Sequence, residues 1–309
     1  MENKKKDNAI IIGIDHGYGF MKTASSIMKS GIKEVPVVPP FAHNILEYGN
    51  RVYVVGQCRQ NHEVKKTDTP DYYILTLAAI AAELKIRNRK RGNVIIAAGL
   101  PYSFFSSQRE EFKKYLMQNE NVKYRYCDID YEIHISNVFI FPQGFPVISE
   151  KLDSLQGKNT VVDVGSRTLD VLTFQENEAQ HEYCFSMQGG TIDCIESIQK
   201  DFMSKYQVSL EENIIQDFLQ GKEGQLKEEH CTFLEQLTRF YVRNSVLSAL
   251  EAKGISFEFT HVTFCGGGAV VVKNYGDLHT SQFTFVEDIH ANAKGFEYLC
   301  KGILRQNGK

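Results

Sequence analysis

The chain has 309 residues, 42% of them apolar and 24% charged, with a formal net charge of −3. That length is too great for one small core and suits two domains, and the charge argues against a general nucleic-acid-binding face, which would be basic. The longest apolar runs, such as residues 94–98 and 269–272, are too short to cross a bilayer.

In chain order, residues 1–7 are charged and lead straight into β-favouring residues with no small-residue cleavage site, which reads as a solvated tail rather than a signal peptide. Ile11-Ile12-Gly13-Ile14-Asp15-His16-Gly17-Tyr18-Gly19, followed by Met21-Lys22-Thr23, reads as a strand, a tight turn and a returning strand. Residues 32–58 hold short extended runs broken by Pro36, Pro39, Pro40, Gly49 and Gly56, a loop-rich insert. Cys58 and His62 lie four apart, but no second pair follows to complete a zinc site, and the seven cysteines read as reduced thiols. Thr69-Pro70-Asp71 opens a helix with Thr69 as N-cap and with Leu75, Ala78, Ala79, Ala82 and Ile86 at helical spacing. Asn93 to Ala98 is a buried strand ending at Gly99-Leu100-Pro101. An amphipathic helix then runs from Phe105 to Met117, starting near Ser106-Ser107. Strands occupy 122–141, Pro142-Gln143-Gly144 stops the last of them, and 146–155 reads as helical.

Gly157-Lys158-Asn159 marks a domain boundary, and the opening pattern then returns half a chain further on. Thr160-Val161-Val162-Asp163-Val164-Gly165-Ser166-Arg167-Thr168, followed by Leu169-Asp170-Val171, is again a strand, a turn after an aspartate, and a second extended run. Gly189-Gly190 is either a plain turn opening a helix to about Tyr206 or a second glycine contact for phosphate. Residues 207–229 form a small charged insert, and 230–252 a long helix. A strand from Phe257 to Phe264 runs into Gly266-Gly267-Gly268, and the last helix spans about 291–305. Alternating strands and helices make an α/β protein.

The residue types of the two hairpins suit phosphate. A glycine turn lets backbone N–H groups approach phosphate oxygens. A carboxylate beside it makes sense with a cation between, and Mg²⁺ is often held by one or two carboxylates plus the phosphates. Lys22 follows Asp15 by seven residues and would emerge near the same phosphates.

Five segments in this order resemble the actin-like ATPase superfamily, and within it the ParM/StbA-type plasmid-segregation actins. Asp15 to Lys22 is similar to the first phosphate loop, Gln143 to the first connecting segment, and Asp163 to Thr168 to the second phosphate loop. Gly266 to Gly268 resembles the adenosine motif, and Ala291-Asn292-Ala293-Lys294-Gly295 the second connecting segment, whose small residues let two helices cross closely. Tyr18 departs from the small hydroxyl residue of actin. Arg167 stands where many relatives have glycine or threonine, and it either faces solvent or adds a cation at the phosphates.

The resemblance implies an actin-like, ribonuclease-H-like fold of two domains with a nucleotide cleft between them. The first domain would be 1–157 with an insert at about 32–68, the second 158–290 with an insert at about 207–229, and the helix at about 291–309 would pack back onto the first. It implies ATP and Mg²⁺ as cofactors. Asp15 and Asp163 would hold the metal through water. Gln143 and Asp163 would act on the attacking water. Gly17, Tyr18, Gly19, Lys22, Gly165, Ser166, Arg167, Thr168, Gly189, Gly190 and Gly266 to Gly268 would contact the nucleotide. Slow hydrolysis would drive filament turnover in the cytoplasm, with copies of the chain as partners. Plasmid or mobile-element DNA would be reached indirectly through a DNA-binding adaptor, without membrane contact. The alternatives are a small-molecule kinase of the same fold, using Asp170 or Asp193 as base, and a nucleotide-binding scaffold without turnover.

Overall fold

A computed structural model describes residues 9–57, 65–149, 155–222, 224 and 226–307. The charged N-terminal run, Cys58 with His62, and the end of the helix expected over 146–155 lie outside the described residues. The chain divides into two compact units, residues 1–149 with 290–309, and residues 150–289.

The first unit is built on one nine-stranded sheet. β1 (Ile10–His16) and β2 (Phe20–Thr23) form an antiparallel hairpin, and β3 (Ile27–Lys29) continues from it. β4 (Ile32–Val35), β5 (Ile45–Tyr48) and β6 (Arg51–Val55) come from the proline-punctuated insert, yet they pair into the same sheet through the contact of β5 with β8. α1 (Asp71–Ile86), β7 (Arg91–Leu100), α2 (Tyr102–Leu116), β8 (Asn121–Tyr126), β9 (Ile129–Pro142) and the short α3 (Phe145–Ser149) complete the run. The strand order is β3-β2-β1-β7-β9-β8-β5-β6-β4. β1, β7 and β9 are parallel, so their carboxyl ends share one edge. Such strands carry near-continuous β-branched runs because both faces are covered; Ile12, Ile14, Val94 and Ile96 are all buried.

α1 buries nearly its whole circumference, from Tyr72 to Leu84, so the helical stripe expected from sequence understates its burial; Ile86, at the last turn, is exposed instead. Thr69 is not its N-cap. Pro70, with φ −70°, takes that position, and the Thr69 hydroxyl has no hydrogen-bond partner. α2 begins at Tyr102, with Pro101 as its N-cap, and not near Ser106.

The C-terminal helix (Ala291–Asn307) lies against β1 and α3. At Gly13 the helix approaches closely: the Gly13 amide donates to the Glu297 carboxylate at 3.2 Å, and a Cβ there would overlap the Ala293 backbone carbonyl. Arg87, the C-cap of α1, ties this junction together, bonding to Glu297 at 3.3 Å, Glu83 at 3.1 Å and the Ile11 carbonyl at 3.2 Å. Glu83 is fully buried and accepts from Thr23 and from the Ser25 amide. Gly295 crosses Pro146 of α3 just as closely.

The second unit has a six-stranded sheet. β10 (Lys158–Val164), β11 (Thr168–Gln175), β12 (Glu178–Ala179) and β13 (Phe185–Gln188) are antiparallel neighbours, with β11 pairing to the other three. α4 (Thr191–Tyr206) and α5 (Glu212–Leu219) follow, the latter burying Ile215 and Leu219 in the same core. The long helix is interrupted: α6 (Glu228–Tyr241) passes through a π-helical segment, Val242–Leu247, into α7 (Ser248–Ala252). β14 (His261–Cys265) is parallel to β10, α8 (Ala269–Tyr275) follows the glycine triplet, and β15 (Phe283–Phe285) forms the edge.

The backbone approach at Gly13 gives a test. Gly13→Ala is expected to lower unfolding free energy by about 2–3 kcal/mol through overpacking. Gly302→Ala, where a Cβ meets nothing within 4 Å, is expected to raise it by about 0.5–1 kcal/mol through helix propensity. Urea denaturation of both variants checks the pair.

Candidate functional site

The parallel strands decide where the polar groups collect. In the first unit β1 ends at Asp15-His16, β7 at Leu100 and β9 at Pro142-Gln143, side by side; the Gln143 amide N–H donates to the Leu100 carbonyl at 2.9 Å. Crevices at the carboxyl ends of α/β strands are where ligands bind. Asp15 is buried there, and both of its oxygens are held: Oδ1 accepts from Gln143 Nε2 at 3.0 Å, and Oδ2 pairs with Lys22 Nζ at 3.3 Å. Asp15, Lys22 and Gln143 are therefore brought together, although Gln143 lies 128 residues away in sequence. A carboxylate only accepts, so the Gln143 nitrogen must face Asp15 and its oxygen is the end left for a water proton.

The turn between β1 and β2 is tightly fixed. A Cβ on Gly17 would lie 2.5 Å from the Phe20 carbonyl. The Gly17 carbonyl accepts from Ser30 Oγ at 2.6 Å, and the Gly19 carbonyl from the Ser30 amide at 3.1 Å, with the half-buried Tyr18 between them. His16 is fully buried, its Nε2 2.8 Å from Thr76 Oγ1, and its carbonyl accepts from Lys66 Nζ. Burial first, and the nearby Lys66 cation second, hold the His16 imidazole well below its ordinary pKa.

In the second unit β10 carries Asp163 and β14 carries Cys265 in direct register, which sets Gly165 to Thr168 beside Gly266 to Gly268. Gly266 has φ +82°, and a Cβ on it would overlap Asp163 Oδ1; a Cβ on Gly268 would overlap Val164. Only bare backbone fits under this carboxylate. Gly189-Gly190 reaches the same loop, and a Cβ on Gly190 would overlap the Ser166–Arg167 peptide. The glycine pair thus opens α4, as one of its two readings expected, and packs on the second hairpin. The π-helical segment lies over it: a Cβ on Gly189 would meet the Ser245 carbonyl at 3.0 Å, and Tyr241 Oη donates to the Gly190 carbonyl at 3.1 Å.

Arg167 is turned toward α4. Its guanidinium pairs with Asp193 and with Glu196, each at 3.0 Å. Asp170 is buried, accepting from Ser186 Oγ on Oδ1 and from Thr168 Oγ1 at 3.3 Å on Oδ2.

Ser30, Lys66 and Tyr241 were not legible as site residues, because each reaches its loop across a long sequence separation and lies in no local motif. The described residues contain no cluster of three or more metal-ligating side chains. The residues do fit a metal carried by a phosphate ligand, since each hairpin sets one buried carboxylate beside a turn too tight for a side chain.

Two family models match the chain: actin-like proteins, N-terminal domain, over residues 13–145, and archaeal actin homologue MreB-like, C-terminal, over residues 161–275. No curated protein matches it. Among solved structures, it is similar to a 15-stranded ParM filament from Clostridium botulinum at 20% identity and TM-score 0.76, covering 96% of this chain and 99% of that one. The archaeal actin homolog Ta0583, in complex with ADP, is 20% identical at TM-score 0.71, covering 95% and 99%. Bacillus thuringiensis ParM with AMPPNP is 14% identical at TM-score 0.68, covering 97% and 99%. At these identities the likeness is one of fold, an α/β fold of two sheets. No helix among the described residues is long and apolar enough to cross a membrane.

His16 generates a pH test. Its folded pKa is depressed from 6.5, so below that pH the unfolded chain binds a proton that the folded chain refuses. Stability is therefore expected to fall on acidification below 6.5, by up to about 1.4 kcal/mol per pH unit for this proton. His16→Gln is expected to flatten that part of the slope. Urea midpoints between neutral and mildly acid pH, for both proteins, measure the difference.

Proposed function

The chain belongs to the actin-like superfamily, and we propose that it binds ATP with Mg²⁺, hydrolyses it slowly, and assembles with copies of itself into filaments. The observation that carries this reading is the repeated strand-end carboxylate: Asp15 and Asp163 each lie buried near the end of a parallel strand beside a glycine turn, Asp15 held by Gln143 and Lys22 and Asp163 seated against Gly266. Asp15 and Asp163 would hold hydrated Mg²⁺. Gly17 to Gly19, Lys22, and Gly165 to Thr168 would surround the phosphates, and Gly266 to Gly268 the adenosine. Mg²⁺ supplies neutralisation of phosphate charge.

The protein's own groups would do the rest by position. Gln143, with its nitrogen spent on Asp15, offers an amide oxygen to orient a water in line, and Asp163 would take part at the same water. Phosphoryl transfer depends mostly on placement and charge neutralisation, so an amide suffices for slow turnover. Support for self-assembly comes from the fold shared with proteins solved as filaments. By the same kinship the cargo would be plasmid or mobile-element DNA, held through a DNA-binding adaptor in the cytoplasm.

A metabolite kinase would need a carboxylate ready to take a hydroxyl proton. Asp170 accepts from Ser186 and Thr168, and Asp193 from Arg167 and the Gly189 amide. Both are committed to holding the loops, which counts against that alternative.

ATP is expected to move the purified protein into the pellet on high-speed centrifugation, and ADP to leave it in solution. A chain that stays in the supernatant with ATP at every concentration would remove the filament reading. Gln143→Ala is expected to slow phosphate release on the order of a hundredfold, the scale of a misplaced reacting group, while ATP still binds. Phosphate release unchanged in that variant would deny Gln143 its role.

A further inference from the structure

The arginine of the second hairpin has a task that its place among phosphate-binding residues conceals. Arg167 sits inside the turn, yet its side chain turns to α4 and binds two acids one helical turn apart, Asp193 and Glu196. Asp193 uses its other oxygen to accept the Gly189 amide at 3.2 Å, so one carboxylate joins the arginine to the glycine pair. The backbone completes the junction. The Arg167 carbonyl accepts from the Gly190 amide at 3.2 Å, the Gly165 carbonyl from the Thr191 amide at 3.1 Å, and the Ser166 carbonyl from the Ile192 amide at 2.8 Å.

Two consequences follow. The amides at the start of α4, which at many helix N-termini are given to an anion, are here consumed by loop carbonyls. A trans peptide points its C=O and its N–H in opposite directions. With the carbonyls of Gly165 and Ser166 turned to α4, the N–H groups of Ser166 and Arg167 face the other side of the loop, as a phosphate-binding nest requires.

We propose that Arg167 is a positioning residue: anchored on Asp193 and Glu196, it locks α4 and the glycine pair against the second hairpin, so that the hairpin turns its amides, and not its carbonyls, to the phosphates. This rests on the nucleotide reading above and deepens it. It also screens two carboxylates that would otherwise repel a triphosphate, and charge-assisted pairs of this kind hold geometry well.

Calorimetric titration with ADP, ATP and adenosine tests it on the full chain. Asp193→Asn and Arg167→Lys are each expected to weaken ADP and ATP alike by about tenfold, one to two hydrogen bonds' worth. Adenosine affinity should stay within about twofold, and the double variant should be little worse than either single one, as for residues of one network. A loss of general stability would lower all three ligands together. If Asp193→Asn binds ADP as well as the parent or better while Arg167→Lys binds worse, the guanidinium touches phosphate directly and the proposal fails. Glu196→Gln, at a half-exposed site, supplies the same comparison should Asp193→Asn not fold, with a smaller expected loss. A parent protein that binds neither ADP nor ATP overturns the nucleotide reading itself, and this proposal with it.

Discussion

A carboxylate buried at the end of a strand has to be met by donors or by a cation, because removing it from water otherwise costs several kcal/mol. Both sheets place an aspartate in that position. Asp15 is satisfied by side chains from two separated elements, the Gln143 amide and the Lys22 ammonium. At Asp163, Gly266 leaves room for the carboxylate, since a Cβ there would overlap its Oδ1. The first arrangement needs β9 to end level with β1 across the intervening β7, and the second needs β14 to end beside β10, so sheet order is what the two sites depend on.

Close approaches around these strands are made at glycines. Gly13 against Ala293, Gly190 against Ser166 and Gly266 against Asp163 are contacts in which one methyl group would meet backbone or carboxylate. Backbone does not move aside as a flexible side chain does, so these positions fix how helix and strand seat on each other. The junction of Glu83, Arg87 and Glu297 does the same with charge: three elements of the first unit meet through one guanidinium. Burying such a group is costly unless every member is paired, and here Thr23, Ser25, Gly13 and Ile11 supply the remaining partners.

What could be read without coordinates was what is local in sequence. The two hairpins were visible because β-branched residues run into an aspartate and then a glycine, and the glycine triplet because it follows an apolar strand. Helix starts were less legible: the hydroxyl of Thr69 suggested a cap, while the fixed φ of Pro70 decided the turn. The insert strands β4 to β6 gave no sign that they join the main sheet, because their pairing to β8 depends on residues far along the chain. Arg167 was undecidable for the same reason, as its partners sit 26 and more residues later, on another element. Periodicity cannot report a contact whose two halves belong to different periods.

The two hairpins also differ in charge, and the difference bears on how a nucleotide is held. Lys22 leaves the first loop with its aspartate already countered by a cation of the same hairpin. In the second, the arginine is spent on Asp193 and Glu196 of α4. Under the proposed reading, the divalent ion that accompanies ATP brings positive charge to the second loop with the ligand. That makes metal and nucleotide a single binding unit for this loop, while the first loop adds a lysine of its own hairpin, Lys22, beside Asp15.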